Sequence, residues 1–113
     1  MTAYKRGDVV LVTFVFADET GVKLRPAVIV SSEAYRSGRD EAIIEAISSR
    51  TDRILVGDHL IKDWRRAGLL FPSAATGVVR TIKQNMIARK LGSMPSPEMK
   101  AIDDNLSVAL GLS

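Results

Sequence analysis

Pro26 is followed by Ala27-Val28-Ile29-Val30 and preceded by Arg25 and a polar loop containing Gly21. A short apolar run rich in β-branched residues reads as a buried strand. Proline locks φ, has no N–H to give to a ladder, and drives the residue before it into extended geometry. It is tolerated as the first residue of a strand. A strand is therefore expected over 26–31, with Arg25 held at its mouth. There the guanidinium is a fixed charge on a stiff backbone, with a planar fork of donors suited to phosphate oxygens.

The rest of the chain is punctuated in the same way. Val9 to Phe16 has the composition of a strand, and Ala17 to Leu24 that of a polar loop. Residues 33–41 read as an exposed connection. Ala42 to Ser48 is a further strand. Its alternation puts Ile44, Ala46 and Ser48 on one face and Ile43, Glu45 and Ile47 on the other. Strand propensity also marks Ile54 to Ile61, interrupted by Gly57-Asp58, and the short runs Leu69–Phe71 and Val78–Ile82. Asp63 and Gly68 bracket one helical turn as cap and terminator. Met86 to Leu91 fits helix or strand. At the end, Ser96 and Pro97 suit the cap and first position of a helix. Met99, Ile102, Leu106, Ala109 and Leu110 recur at helical spacing, and Gly111 can close the helix. Several short strands and one amphipathic helix predict a mainly β (α+β) fold. The expected architecture is a single domain over 1–113, a small barrel packed by its C-terminal helix.

Composition narrows the chemistry. The 113 residues are 46% apolar and 26% charged, enough for one modest core. No apolar run approaches the roughly 20 residues of a membrane span. The first six residues lack the apolar centre of a secretion signal. A cytoplasmic protein without membrane contact is expected. The absence of cysteine excludes disulfides, thiolate catalysis and zinc–cysteine sites. His59 is the sole histidine, so a multi-histidine metal site cannot form in one chain. No metal or cofactor is expected. A net charge of +3 is compatible with a nucleic-acid partner without demanding one.

Four segments in order, Lys5-Arg6-Gly7-Asp8-Val9-Val10, Arg25 to Ser31, Ala42 to Ser48 and Val79-Arg80-Thr81-Ile82, together resemble the PemK/MazF family. These are toxins of bacterial toxin–antitoxin pairs. The resemblance covers nearly the whole chain. It implies an SH3-like barrel that forms a homodimer. It also implies a ribonuclease that cuts single-stranded RNA such as mRNA without a metal, leaving a 2′,3′-cyclic phosphate and a 5′-hydroxyl. A cognate antitoxin, whose disordered tail lies across the RNA groove, would neutralise it. The elementary chemistry agrees. The substrate's own 2′-hydroxyl is the nucleophile, so no activated protein nucleophile is needed and DNA is excluded.

Residue by residue, Arg25 matches the family's catalytic arginine, expected to clamp the scissile phosphate. The alternative is an exposed arginine at a strand start. Ser48 falls where the family typically has a catalytic threonine. Serine keeps the hydroxyl and loses the methyl that stiffens the rotamer. It can equally be a strand-end serine bonding the next turn. Glu19 lies in the loop before Arg25, where some relatives carry a catalytic acid. Asp18 is equally placed, and a solvated carboxylate is the plainer reading. Lys23, Arg50, Arg53, Ser73 and Arg80 are candidate RNA contacts. Ser73 also reads as a turn serine. Arg65 and Arg66 could line an RNA groove as Arg50 and Arg53 could, and a solvated charged face explains either pair as well. His59 and Trp64 read as structural, Trp64 as core. Two rival functions remain. One is poisoning of a protein target such as gyrase, as the related CcdB toxins do. The other is an inactive module that only pairs with an antitoxin or binds nucleic acid.

Overall fold

A computed structural model of the chain describes residues 4–15 and 22–112. Strands β1 (Asp8–Val15) and β2 (Val22–Ile29) are followed by a short helix α1 (Glu33–Arg36). Then come β3 (Glu41–Ser48), β4 (His59–Leu60), β5 (Ala74–Lys83), a 3-10 turn (Gln84–Met86), β6 (Ile87–Ser93) and helix α2 (Ser96–Ala109). The six strands form one antiparallel sheet in the order β4-β5-β3-β2-β1-β6.

The connection from β5 to β6 forces this sheet to curl. The two strands lie four positions apart in the order, roughly 19 Å across a flat sheet. The link from Lys83 to Ile87 spans about 14 Å even when fully extended. The flat arrangement is therefore impossible, and Ile82 and Ile87 meet in one apolar cluster with Val10, Val12, Ala27, Ile29 and Ile44. The opposite side of the sheet carries a second cluster, in which Val9, Val28, Ile47 and Ala75 pack against Met99 and Ile102 of α2. The strand alternation expected for β3 is what divides Ile44 from Ile47 between these two clusters. The fold is thus the expected mainly β unit with a packed C-terminal helix, although among the described residues no strand ladder closes the barrel. Residues 62–68, a run of turns, fill the gap instead. An added Cβ on Gly92 of β6 would lie 2.4 Å from the Ala67 carbonyl oxygen, and one on Gly68 would lie 2.2 Å from that of Leu91. Only glycine permits this backbone-to-backbone approach.

Several local expectations are corrected. Val22 to Leu24 belong to β2, because β1 supplies partners as far as Val15↔Val22. The 33–41 connection contains α1, capped by the Ser32 hydroxyl accepting from the Tyr35 N–H (3.1 Å). Residues 54–58 form a turn. The Asp58 carboxylate accepts the Leu55 N–H (2.8 Å) and the Asp58 N–H donates to the Leu55 carbonyl (3.0 Å). A local aspartate bond here outcompetes a ladder. Leu69–Phe71 is a bend, and the ambiguous 86–91 segment resolves mostly to strand. Pro95 occupies the cap of α2, with no side-chain cap bond, so Ser96 and Pro97 are its first two residues. Its exit follows expectation. Gly111 (φ 73°) donates to the Val108 carbonyl and Leu112 to that of Ser107, the Schellman pattern. Leu110 is exposed beyond the helix and takes no part in its apolar stripe.

The Gly92 contact supplies a test. Gly92→Ala should cost about 2–3 kcal/mol through forced displacement of the 62–68 turn. Gly38→Ala, where a Cβ meets nothing within 4 Å but φ is +77°, should cost about 1 kcal/mol from backbone strain alone. Chemical denaturation of the two variants measures both.

Candidate functional site

The β2–β3 ladder contains only Ala27↔Ala46, Val28↔Glu45 and Ile29↔Ile44. It stops beside Pro26, which has no N–H to continue it. On its other side β2 stays paired with β1. Pro26 is therefore the fifth residue of its strand, not the first, and marks the place where β2 loses one of its two neighbours. Carried two residues past Ala27↔Ala46, the same register sets Arg25 across from Ser48. A groove of about 910 Å³ opens here, and both residues line it.

The groove has a strong electrostatic bias. Arg25, Arg50, Arg80 and Arg89 line it, and no aspartate or glutamate does among the described residues. Four guanidinium groups on one concave surface, with no carboxylate among its described lining residues, favour an anionic ligand. The apolar walls come from Leu11, Leu24 and Pro26 on one side and Leu69, Leu70 and Phe71 on the other.

Five of the candidates named from sequence therefore meet: Arg25, Ser48, Arg50, Ser73 and Arg80. Ser48 Oγ accepts the Arg50 N–H (3.1 Å), as a strand-end serine does, and this leaves its hydroxyl proton to donate. Ser73 is 3% exposed, and its Oγ donates to the Phe71 carbonyl (2.8 Å). Its hydroxyl is thus used to shape the turn. Lys23 sits on β2 two residues before Arg25, and Arg53 lies exposed on the 51–58 loop; neither is among the groove's lining residues. Glu19 and Asp18 lie outside the described residues.

A bulge shapes the far wall. The β3–β5 ladder jumps from Glu45↔Val79 to Ile47↔Ala75, so Thr76, Gly77 and Val78 face Ala46 alone. Thr76 Oγ1 donates to the Ala46 carbonyl (2.9 Å) and accepts the Val78 N–H (3.2 Å). The Gly77 N–H donates to Glu45 Oε2 (2.9 Å). Gly77 takes φ 74°, and a Cβ there would stand 3.1 Å from the Gly57 carbonyl oxygen. Such a bulge bends its strand and re-aims the side chains that follow. Here those are Val78 and Arg80, both on the groove. Glu45 is 1% exposed, and its Oε1 has no hydrogen-bond partner among the described residues. Burial pushes its carboxyl up to about 7, against the pull of the Gly77 N–H and helped by the charges of Asp58 and Asp103.

Three residues important here escaped the sequence reading. Arg89 falls in a segment that fits helix or strand. Phe71 ends a run with strand composition. Glu45 has no role in the alternation argument, although a carboxylate inside Ile43-Ile44-Glu45-Ala46-Ile47 is itself a signal. His59 is structural, as expected. Its Nε2 meets Glu98 Oε1 at 2.6 Å, and Glu98 Oε2 accepts the Asp63 N–H at 2.7 Å. Burial alone would raise the Glu98 carboxyl; the Asp63 N–H and His59 outweigh it and hold it below the usual range. Trp64 packs half-buried against the core with the Arg65 guanidinium over its ring (4.7 Å).

A family model described as PemK-like, MazF-like toxin of type II toxin–antitoxin systems matches residues 5–110. The chain belongs to this family. No curated protein matches it significantly. Among solved structures, a mycobacterial endoribonuclease in complex with its cognate antitoxin is 21% identical over 98% of both chains, with a TM-score of 0.78. The Mycobacterium tuberculosis toxin MazF-mt6 is 20% identical over 94% of this chain and 98% of that one (TM-score 0.76). A MazE–MazF structure from Deinococcus radiodurans is 16% identical over the whole of both chains (TM-score 0.81). At these identities the likeness establishes the MazF-like fold. The Lys5-Arg6-Gly7-Asp8 opening that this chain brings to the family has a structural use. Asp8 Oδ2 accepts the Lys5 N–H (2.9 Å), Oδ1 meets Lys90 Nζ (3.2 Å), and the Gly7 carbonyl accepts the Met94 N–H (2.7 Å).

Glu45 gives this subsection its test. A carboxyl at 4.5 in the unfolded chain and about 7 in the native one binds more protons when folded. Stability from this group is therefore greatest below pH 4.5, falls as pH rises from 4.5 to 7, and is flat above. The full span is on the order of 3 kcal/mol. Glu98, shifted the other way, contributes stability that is fully present above its ordinary value of 4.5 and is lost only as pH falls below it, outside this window. Urea melts between pH 5 and 8 should show Glu45→Gln gaining stability over the wild type as pH rises. A constant difference across that range would refute the assignment.

Proposed function

We propose that this family member is an endoribonuclease toxin that cleaves single-stranded RNA by internal attack of the 2′-hydroxyl. The observation that supports it most is the meeting of Arg25 and Ser48, from different strands, in a groove lined by arginines and no described carboxylate. In the proposed reaction the 2′-oxygen bonds to phosphorus as the P–O5′ bond breaks. The products are a 2′,3′-cyclic phosphate and a 5′-hydroxyl. Negative charge grows on the non-bridging oxygens, and the planar Arg25 fork is suited to binding two of them. The Ser48 proton can serve the same oxygens. Arg50, Arg80 and Arg89 would hold the neighbouring phosphates, a sequence-independent contribution that weakens as salt rises.

A base must take the 2′-hydroxyl proton, and the leaving 5′-oxygen must gain one. The described groove offers no carboxylate for the first task. Glu19, in the segment leading into β2, is the base we propose. Because the nucleophile belongs to the substrate, the scheme calls for no metal ion and discriminates against DNA. We further propose that the toxin acts as a homodimer in the cytoplasm and is neutralised by a cognate antitoxin laid across this groove. The structure of the mycobacterial endoribonuclease with its antitoxin supports that pairing. No helix of the described chain is long and apolar enough to cross a membrane.

The purified protein should cut a mixed single-stranded RNA pool in excess EDTA, and the fragments should end in cyclic phosphate. Arg25→Ala should lower kcat by roughly 100-fold or more, the scale of removing one donor from a charge-stabilising site. Ser48→Ala should lose less, and Ser48→Thr should retain activity. Cleavage that requires added magnesium, or survives unchanged in Arg25→Ala, would overturn the proposal. Intact RNA together with trapped gyrase–DNA complexes would favour the rival toxin mechanism.

A further inference from the structure

Phe71 is 63% exposed and belongs to neither apolar cluster. A single exposed apolar side chain needs no explanation in general. This one differs in how it is held. Two residues before it, Leu69 is 7% exposed and packs in the helix-side core, with its N–H on the Trp64 carbonyl (3.0 Å). Two residues after it, Ser73 is buried. The Ser73 hydroxyl bonds back to the Phe71 carbonyl, and the Ser73 carbonyl accepts the Ile61 N–H (2.9 Å). Pro72 fixes φ between them. The backbone at Phe71 is therefore pinned on both sides while its ring stands on the groove.

The surroundings of the ring identify what it would meet. Four arginines share the groove with it. An aromatic face combined with a track of cations suits single-stranded nucleic acid, where cations take the phosphates and rings take the bases. With the backbone pinned, only the two side-chain torsions of the phenyl remain to be ordered on binding, which keeps the entropic cost of stacking small.

Building on the ribonuclease reading above, we propose that Phe71 is a stacking platform for one nucleobase of the RNA strand whose phosphate reaches Arg25. The buried hydroxyl of Ser73 is then a positioning group that sets the Phe71 backbone and touches no RNA. A ring that stacks accepts any base, so Phe71 adds affinity and holds the register of the strand. Choice among bases would rest on hydrogen-bonding groups elsewhere.

The test uses the full chain and a fluorescein-labelled random decamer of 2′-O-methyl RNA, which binds but lacks the attacking hydroxyl. Phe71→Ala and Phe71→Leu should each weaken binding about 10-fold, while Phe71→Trp keeps it within about twofold. On the cleavable pool, the alanine variant should raise KM and leave kcat nearly unchanged. Sedimentation of each variant reports association in the same samples. Wild-type affinity in Phe71→Ala, or in Phe71→Leu, would overturn the stacking assignment and leave the ribonuclease reading standing. Unchanged RNA binding with lost self-association would overturn it in favour of a protein contact. A wild-type protein that neither binds the decamer nor cuts RNA would remove the ribonuclease reading and this inference together.

Discussion

The missing N–H of Pro26 organises the site. A central strand ordinarily pairs along its whole length with both neighbours, which would seal the sheet between β2 and β3. Pro26 cannot donate, and the β2–β3 ladder ends beside it at Ala27↔Ala46. Because β1 still pairs with the first half of β2, the strand stays extended and stiff while its other edge opens. Arg25 is placed on that opened edge by a backbone that Pro26 itself biases toward extension. One residue thus opens the groove and aims its central charge.

The opposite wall is built by a different device. Glu45 is drawn to the helix-covered face by strand alternation, where a carboxylate is costly to ionise. Its retained partner is the Gly77 N–H in the bulge. Thr76 satisfies two further backbone groups of the same bulge. The two extra residues of β5 therefore bend the strand with the Gly77 and Val78 N–H groups both accepted, and Arg80 is carried onto the groove. The buried acid and the groove are linked through backbone geometry, not by direct contact.

The sequence announced those parts whose cause is local. Alternation in residues 42–48 separated the two faces of β3, and the helical spacing of Met99, Ile102 and Leu106 found the packed side of α2. Gly111 gave the helix exit. The Arg25-Pro26 pair and Ser48 were legible as candidates because backbone stiffness and a hydroxyl at a strand end are local properties. What failed were boundaries decided by partners distant in sequence. β2 extends back to Val22 only because β1 runs beside it. Residues 54–58 forgo a strand because Asp58 captures Leu55. The groove position of Phe71 and Arg89 follows from the curl of the sheet, which brings 69–71 and β6 to a site whose other residues lie far from them in sequence. No local pattern in either segment contains that information.

The curl also explains why β6 carries both a groove residue and a closure contact. Arg89 and Leu91 line the groove, and Gly92 admits the Ala67 backbone next to them. From Ala67 the chain passes through Gly68 and buried Leu69 directly to Leu70 and Phe71. The height of the groove's apolar wall is therefore fixed by how closely the 62–68 turn approaches β6. A side chain at residue 92 would act at the far end of this short lever and lift the wall from its four arginines. In a barrel left unclosed by hydrogen bonds, van der Waals contact between two glycines and the opposing backbone sets the width of the site.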